Sequence, residues 1–236
     1  MILFGGDSFT WGQGLEWELL ISKGYTREQI NKIIPPKYAN ERLPIELMDY
    51  REKNRWPRLV AEHFDTNYDL LRQGNGGSNG NLYHALENNN FHHRMFLENL
   101  DLLVLQLTHA GRDKHFKTLE EIESVFNDEI TRLMNIVSEF EKQNPHINVV
   151  IMAWLPEHGE VLTKYFNEKY LIKFNINNNI HYGFEDWMKD YTISYKYHID
   201  DYHFNLEGNK IVAENVINHI EKYNLLQKNT FYENRI

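Results

Sequence analysis

Cysteine is absent from the 236 residues. One absence excludes disulfides, thiolate nucleophiles and cysteine metal sites together. No apolar run is long enough to span a bilayer, and no basic stretch precedes the apolar residues that follow Met1. Neither a membrane span nor a signal peptide is expected, and a cytoplasmic location is the default expectation. Basic residues are in deficit, with 25 Lys+Arg against 34 Asp+Glu and a net charge of −9. That argues against nucleic acid or an anionic membrane as partner, and leaves a neutral small molecule or glycan open. His92-His93 and His109/His115 lack the spacing of a ligand set, so no metal is expected. The asparagine- and glycine-rich stretch 74–81 lacks the Lys and Ser/Thr placement of a phosphate-binding P-loop. No repeat and no linker marks a domain boundary.

What is present is a folded chain, 42% hydrophobic and 14% aromatic. Ile2-Leu3-Phe4 reads as a short buried strand. Tyr68 to Leu71 reads as a second, Leu102 to Leu107 as a third, and Ile147 to Ala153 as a fourth. Between them lie helical patterns. Pro57 opens one, and another runs from about Asn79 to Asn88. Thr118 and Glu121 form a capping box before a long amphipathic helix that Asn144-Pro145 ends. Leu206 to Tyr223 is the last helix, and the tail from Leu225 reads as loosely attached. Residues 16–50 read as a small helical insertion or a cover over the site, with Thr26-Arg27-Glu28-Gln29 opening one helix and Pro35-Pro36 stopping it. Residues 154–190 are ambiguous, with a short strand at Tyr170–Phe174. Alternating strands and helices imply a mainly parallel sheet covered on both faces, in one domain over 1–224. In such sheets the site forms at the carboxyl ends of the strands.

The first of those ends carries Gly5-Gly6-Asp7-Ser8-Phe9-Thr10. A strand that runs into glycines and a serine presents a hydroxyl on a fixed backbone, with free N–H groups nearby to stabilise an oxyanion. Ser8 or Thr10 as a helix cap is the plainer reading. A nucleophilic serine needs a base, and the base an orienting carboxylate. Asp200-Asp201-Tyr202-His203-Phe204-Asn205 lies just before the last helix. An Asp three residues ahead of a His on a loop can accept the Nδ1–H and leave Nε2 for the serine. Asp200 and Asn205 as loop and cap residues is the alternative.

Gly-Asp-Ser near the amino end with Asp-x-x-His-x-Asn-x-x-Gly near the carboxyl end resembles the SGNH (GDSL-type) hydrolases. The resemblance runs from residue 5 to about 220. It implies a three-layer α/β/α flavodoxin-like fold and an ester hydrolase that needs no cofactor. It also implies Ser8 as nucleophile, His203 as base and Asp200 as its partner. Gly74-Asn75-Gly76-Gly77 matches the family's second block and implies Gly77 as an oxyanion donor. The third block departs. Where the family has Gly-x-Asn-Asp, this chain has Gln106-Leu107-Thr108-His109, and no Asn occurs between Asn99 and Asn127. Thr108 or Gln106 is the expected replacement, with Thr108 ahead by alignment. Arg112 is the outside candidate and suits an anionic substrate, or else makes only a surface ion pair. The preferred substrate is an O-acetyl ester on a carbohydrate. A lipid or thioester is the enzymatic rival, and a weakly active glycan-binding or structural module the non-enzymatic one. Trp11, Trp56, Trp154 and Trp187 are expected in the core or a pocket wall.

Overall fold

The computed structural model describes residues 1–34, 43–71, 79–87, 98–108, 119–197 and 203–226. Four parallel strands form its centre: β1 (Ile2–Gly5), β2 (Tyr68–Leu70), β3 (Leu102–Gln106) and β4 (Asn148–Met152), in the order β2-β1-β3-β4. Phe4 is paired with Leu70 on one side and Val104 on the other, and Val104 with Val150. Strands β1 and β3 are buried at every residue, as continuous apolar runs in a covered parallel sheet require.

Alternate residues of each strand serve opposite faces. Ile2, Phe4, Leu102, Val104, Val150 and Met152 join one core with Trp56, Val60, Val212 and Val216. Those partners lie on α4 (Trp56–His63) and on the last helix, Leu206–Tyr223. Leu3, Leu103, Leu105, Val149 and Ile151 join the other with Leu82, Leu86, Leu133 and Val137. These come from α5 (Asn79–Glu87) and α6 (Leu119–Gln143). The fold is therefore three-layered α/β/α, with a flavodoxin-like strand order.

Three further helices lie between β1 and α4: α1 (Leu15–Ser22), α2 (Arg27–Ile33) and α3 (Ile45–Asn54). They share a small core of Leu20, Ile30, Ile34, Leu43 and Leu47. Thr26 and Gln29 close a reciprocal capping box on α2. The buried guanidinium of Arg51 on α3 grips both carboxylate oxygens of Glu16 on α1, with Nε to Oε2 at 3.0 Å. The expected capping box at Thr118 and Glu121 lies outside the described residues.

After β4 come α7 (Pro156–Leu162), an antiparallel hairpin of β5 (Phe174–Ile176) and β6 (Asn179–His181), and α8 (Glu185–Met188). Asn177 and Asn178 at the hairpin turn have φ of 52° and 66°, the left-handed pair a tight hairpin favours. The strand expected at Tyr170–Phe174 is not formed as such. Leu171 makes a single parallel bridge to Ile151, and pairing resumes only in the hairpin from Phe174. One 3₁₀ turn (Lys189–Tyr191) and α9 (Ile193–Tyr197) follow, and α10 (Leu206–Tyr223) ends the fold. Leu225 does not begin a loose tail. It is buried in the first core, and its carbonyl accepts from Asn148 Nδ2 at 2.8 Å. Among the described residues no helix is long and apolar enough to cross a membrane.

Candidate active site

Beyond β1 the backbone turns tightly. The Asp7 side chain caps the turn by accepting from the Phe9 N–H at 3.0 Å, and the Ser8 carbonyl accepts from Gln13 N–H at 3.0 Å. Gln106, at the end of the neighbouring strand β3, braces the same turn. Its Oε1 accepts from Thr10 Oγ1 at 2.7 Å and from the Asp7 N–H at 3.3 Å, while its Nε2 donates to the Leu107 carbonyl at 3.2 Å. Gly6 is dictated by this packing. A Cβ there would stand 1.9 Å from Thr10 Oγ1 and 2.7 Å from Gln106 Oε1. Gly12 has φ of +72°, and a Cβ there would meet Arg55 at 2.6 Å. Gly6 answers to the packing of the turn against the end of β3, and Gly12 to its left-handed backbone and the close approach of Arg55.

His203 reaches this turn from the far end of the chain. Its Nε2 lies 2.7 Å from Ser8 Oγ. The imidazole packs against the Phe9 ring, with centroids 4.8 Å apart. Its backbone is fixed by an antiparallel crossing: the His203 carbonyl accepts from Ile193 N–H at 2.8 Å, and Asn205 N–H donates to the Tyr191 carbonyl at 2.9 Å. Asn205 caps α10, its side chain accepting from Gly208 N–H at 2.9 Å. The buried Asn209 ties that helix start to α4, accepting from Trp56 N–H at 3.1 Å. The cap reading of Asn205 and a site role for His203 are thus compatible, because the cap holds the base of the histidine segment.

Thr108 is buried two residues beyond β3. Its backbone is clamped by Asn79 at the start of α5. Asn79 Oδ1 accepts from Thr108 N–H at 2.8 Å, and Asn79 Nδ2 donates to the Thr108 carbonyl at 3.1 Å and to the Glu129 carboxylate at 2.7 Å. A narrow cleft opens beside them, lined by Asn79, Thr108, Phe126, Trp154 and His158. Trp154 forms part of its wall and contacts Phe9 edge-on at 4.6 Å, which joins the cleft to the serine turn. The structure therefore brings Ser8 and His203 into contact and sets Gln106 against the serine turn. Gly77, Arg112 and Asp200 lie outside the described residues. So do His92, His93, His109 and His115, and among the described residues no three His, Asp or Glu side chains gather as metal ligands.

Two contributors were not anticipated from sequence. The sequence pattern offers Asn79 only as a helix start and Glu18 only as part of a helical stretch. Glu18 is buried, and it accepts from Tyr197 OH at 3.0 Å and from the Leu206 N–H at 2.6 Å. A sequence signal for it exists only in hindsight. Glu16 and Glu18 are two apart, so on a helix they diverge and cannot both lie on one solvated stripe with the same neighbours.

No family model matches the chain, and no curated protein matches it. Among solved structures, a carbohydrate esterase whose active site displays divergent catalytic and non-catalytic binding functions aligns at 15% identity with a TM-score of 0.46. The alignment covers 97% of this chain and 65% of that one, so the chain spans about two thirds of that esterase's length.

Proposed function

We propose that the protein is a serine ester hydrolase of the SGNH type, acting on a small-molecule or glycan ester. An O-acetyl ester on a carbohydrate is the preferred substrate. The observation that carries the reading is the 2.7 Å approach of His203 Nε2 to Ser8 Oγ at the carboxyl end of β1. That distance suits direct proton transfer, and the rim of a parallel sheet is where such chemistry is built.

In this reading His203 Nε2 takes the Ser8 proton as Oγ bonds to the ester carbonyl carbon. The tetrahedral intermediate collapses with cleavage of the carbonyl C–O bond, and His203 passes its proton to the departing alkoxide oxygen. Water then bonds to the acyl carbon as His203 takes its proton, the bond from that carbon to Ser8 Oγ breaks, and His203 returns the proton to Oγ as the acid leaves. Asp200 orients the imidazole and stabilises its charged form. The N–H groups of Ser8 and Gly77 hold the oxyanion. Gln106 has both ends of its amide engaged in and around the serine turn, which favours Thr108 for the missing third donor. The Thr108 hydroxyl is the group assigned, because the side chain at this position stands where the family carries its Asn amide. Arg112 would serve an anionic substrate. The chemistry needs no cofactor. The departure from Asn at position 108 is also what favours the second reading, a glycan-binding module of low activity, because that amide is the family's oxyanion donor.

The test is hydrolysis of a short-chain aryl ester by the parent, Ser8→Ala and Asp200→Asn. Loss of kcat on the order of 10⁶ for Ser8→Ala and on the order of 10⁴ for Asp200→Asn is expected from the behaviour of such triads elsewhere. Equal turnover by Ser8→Ala and the parent refutes the reading.

A further inference from the structure

Glu18 belongs to α1, the helix that begins directly after the serine turn, with Gly14 at its N-cap. An acidic residue in a first turn normally sits in solvent, where it favours the helix dipole. Glu18 is instead 3% exposed. Its hydrogen bonds leave its own helix altogether. Oε1 accepts from Lys196 Nζ and from Tyr197 OH, and Oε2 accepts from the Leu206 N–H. Lys196 and Tyr197 close α9, and Leu206 opens α10. One buried carboxylate therefore grips the chain on both sides of the segment that holds His203.

The division of labour at the start of α10 is informative. Asn205 satisfies the Gly208 N–H from within the local sequence. The Leu206 N–H, another donor with no partner inside the helix, is satisfied from residue 18. A local cap fixes only the helix start. A cap supplied from α1 also fixes where that start lies relative to the serine turn. The lysine is 45% exposed, so its ion pair alone contributes little. The backbone and phenol donors, both half-buried, give the contact its directional hold, because the Glu18 carboxylate itself is buried and would be costly to leave unpaired.

We propose that Glu18 is a positioning residue for the base: it sets the distance between Ser8 and His203 by tying the histidine's two flanking helices to the helix that continues the serine turn. The proposal rests on the hydrolase reading above. A displacement of about 1 Å at a reacting pair costs about a hundredfold in rate, so a remote clamp has ample leverage.

The test compares Glu18→Ala, Glu18→Gln and the double variant Lys196→Met/Tyr197→Phe, which leaves the Leu206 cap in place. Three readouts are taken: kcat and KM on a short-chain aryl ester, the melting temperature, and the His203 imidazole NMR signal, with Ser8→Ala as reference for a lost contact. The expected result is a fall in kcat of about tenfold to a hundredfold in Glu18→Ala and in the double variant, with KM unchanged. Glu18→Gln, which keeps an acceptor, recovers part of the loss. The imidazole signal moves toward its Ser8→Ala position in step with kcat. An imidazole signal that stays at the parent position in Glu18→Ala and in the double variant overturns the proposal, whatever the melting temperature does. Absence of Ser8-dependent turnover in the parent would instead sink the hydrolase reading. The imidazole signal would still decide the role of Glu18.

Discussion

The two partners of the 2.7 Å contact are held in opposite ways. Ser8 stands on a turn that is fixed almost where it is made. Asp7 caps it from one residue away, and Gln106 braces it from the end of the adjacent strand. His203 is held from several directions at once. Residues 191–193 pair with its backbone, Asn209 anchors the following helix to α4, and Glu18 reaches in from the helical insertion. The serine side is a property of the sheet rim. The histidine side is a property of how pieces far apart in the chain meet.

The largest expected effects, those of Ser8→Ala and Asp200→Asn, remove chemistry and say nothing about this difference. Thr108→Val and Gln106→Ala sharpen it. Thr108→Val is isosteric and loses only a hydroxyl, so kcat should drop about a hundredfold, the scale of one oxyanion donor, with the melting temperature unchanged. Gln106→Ala leaves the buried Thr10 hydroxyl and the Asp7 N–H without their acceptor. It should destabilise by about 2 kcal/mol and lower the melting temperature by roughly 5 °C while activity falls. Steady-state kinetics paired with thermal melts separate the two. If Gln106→Ala keeps its stability and loses only kcat, the glutamine is a donor and not a brace.

This contrast also explains what the sequence made legible. Ile2–Phe4 in β1, Leu102–Leu105 in β3 and Val149–Met152 in β4 are unbroken apolar runs, and their identity needs no partner. Helix α10 is readable to its ends because apolar residues recur at helical spacing from Ile211 to Tyr223 and Asn205 offers a cap before Leu206. The serine turn was readable because its glycines answer to local crowding, as Gly6 does. The histidine side was readable only as a short motif, since its supports are far apart in sequence. Glu18 lies 188 positions from Leu206. Helix α3 escaped for a similar reason. Its buried face is little more than Leu47 and Arg51, and Arg51 meets Glu16 on another helix. Leu171 reads as strand, yet it forms one bridge, because pairing at the sheet edge beyond β4 lasts for a single residue.

A smaller effect concerns the histidine side alone. His219 on α10 is buried, and its Nε2 lies 2.8 Å from the Lys169 carbonyl. Burial pushes its pKa below the ordinary histidine value, and nearby Lys222 acts in the same direction, while the Lys169 carbonyl and Glu168 oppose it. The folded state therefore holds the ring neutral, and the unfolded chain binds a proton more readily. Stability from this group is fully present above about pH 6.5 and is lost as pH falls from there through the folded-state pKa. Thermal melts between pH 7.5 and 5 should show a decline that His219→Gln flattens. A parallel decline in both proteins assigns the pH dependence to other groups.

Covalent trapping tests, without knowledge of the substrate, whether His203 activates Ser8. The measurement is the rate at which a fluorophosphonate labels the protein, with the modified peptide located by mass. One label on Ser8 is expected in the parent, none in Ser8→Ala, and labelling slowed on the order of a thousandfold in His203→Gln, because a serine without its base is a weak nucleophile. Labelling of Ser8 at the same rate with and without His203 contradicts that activation.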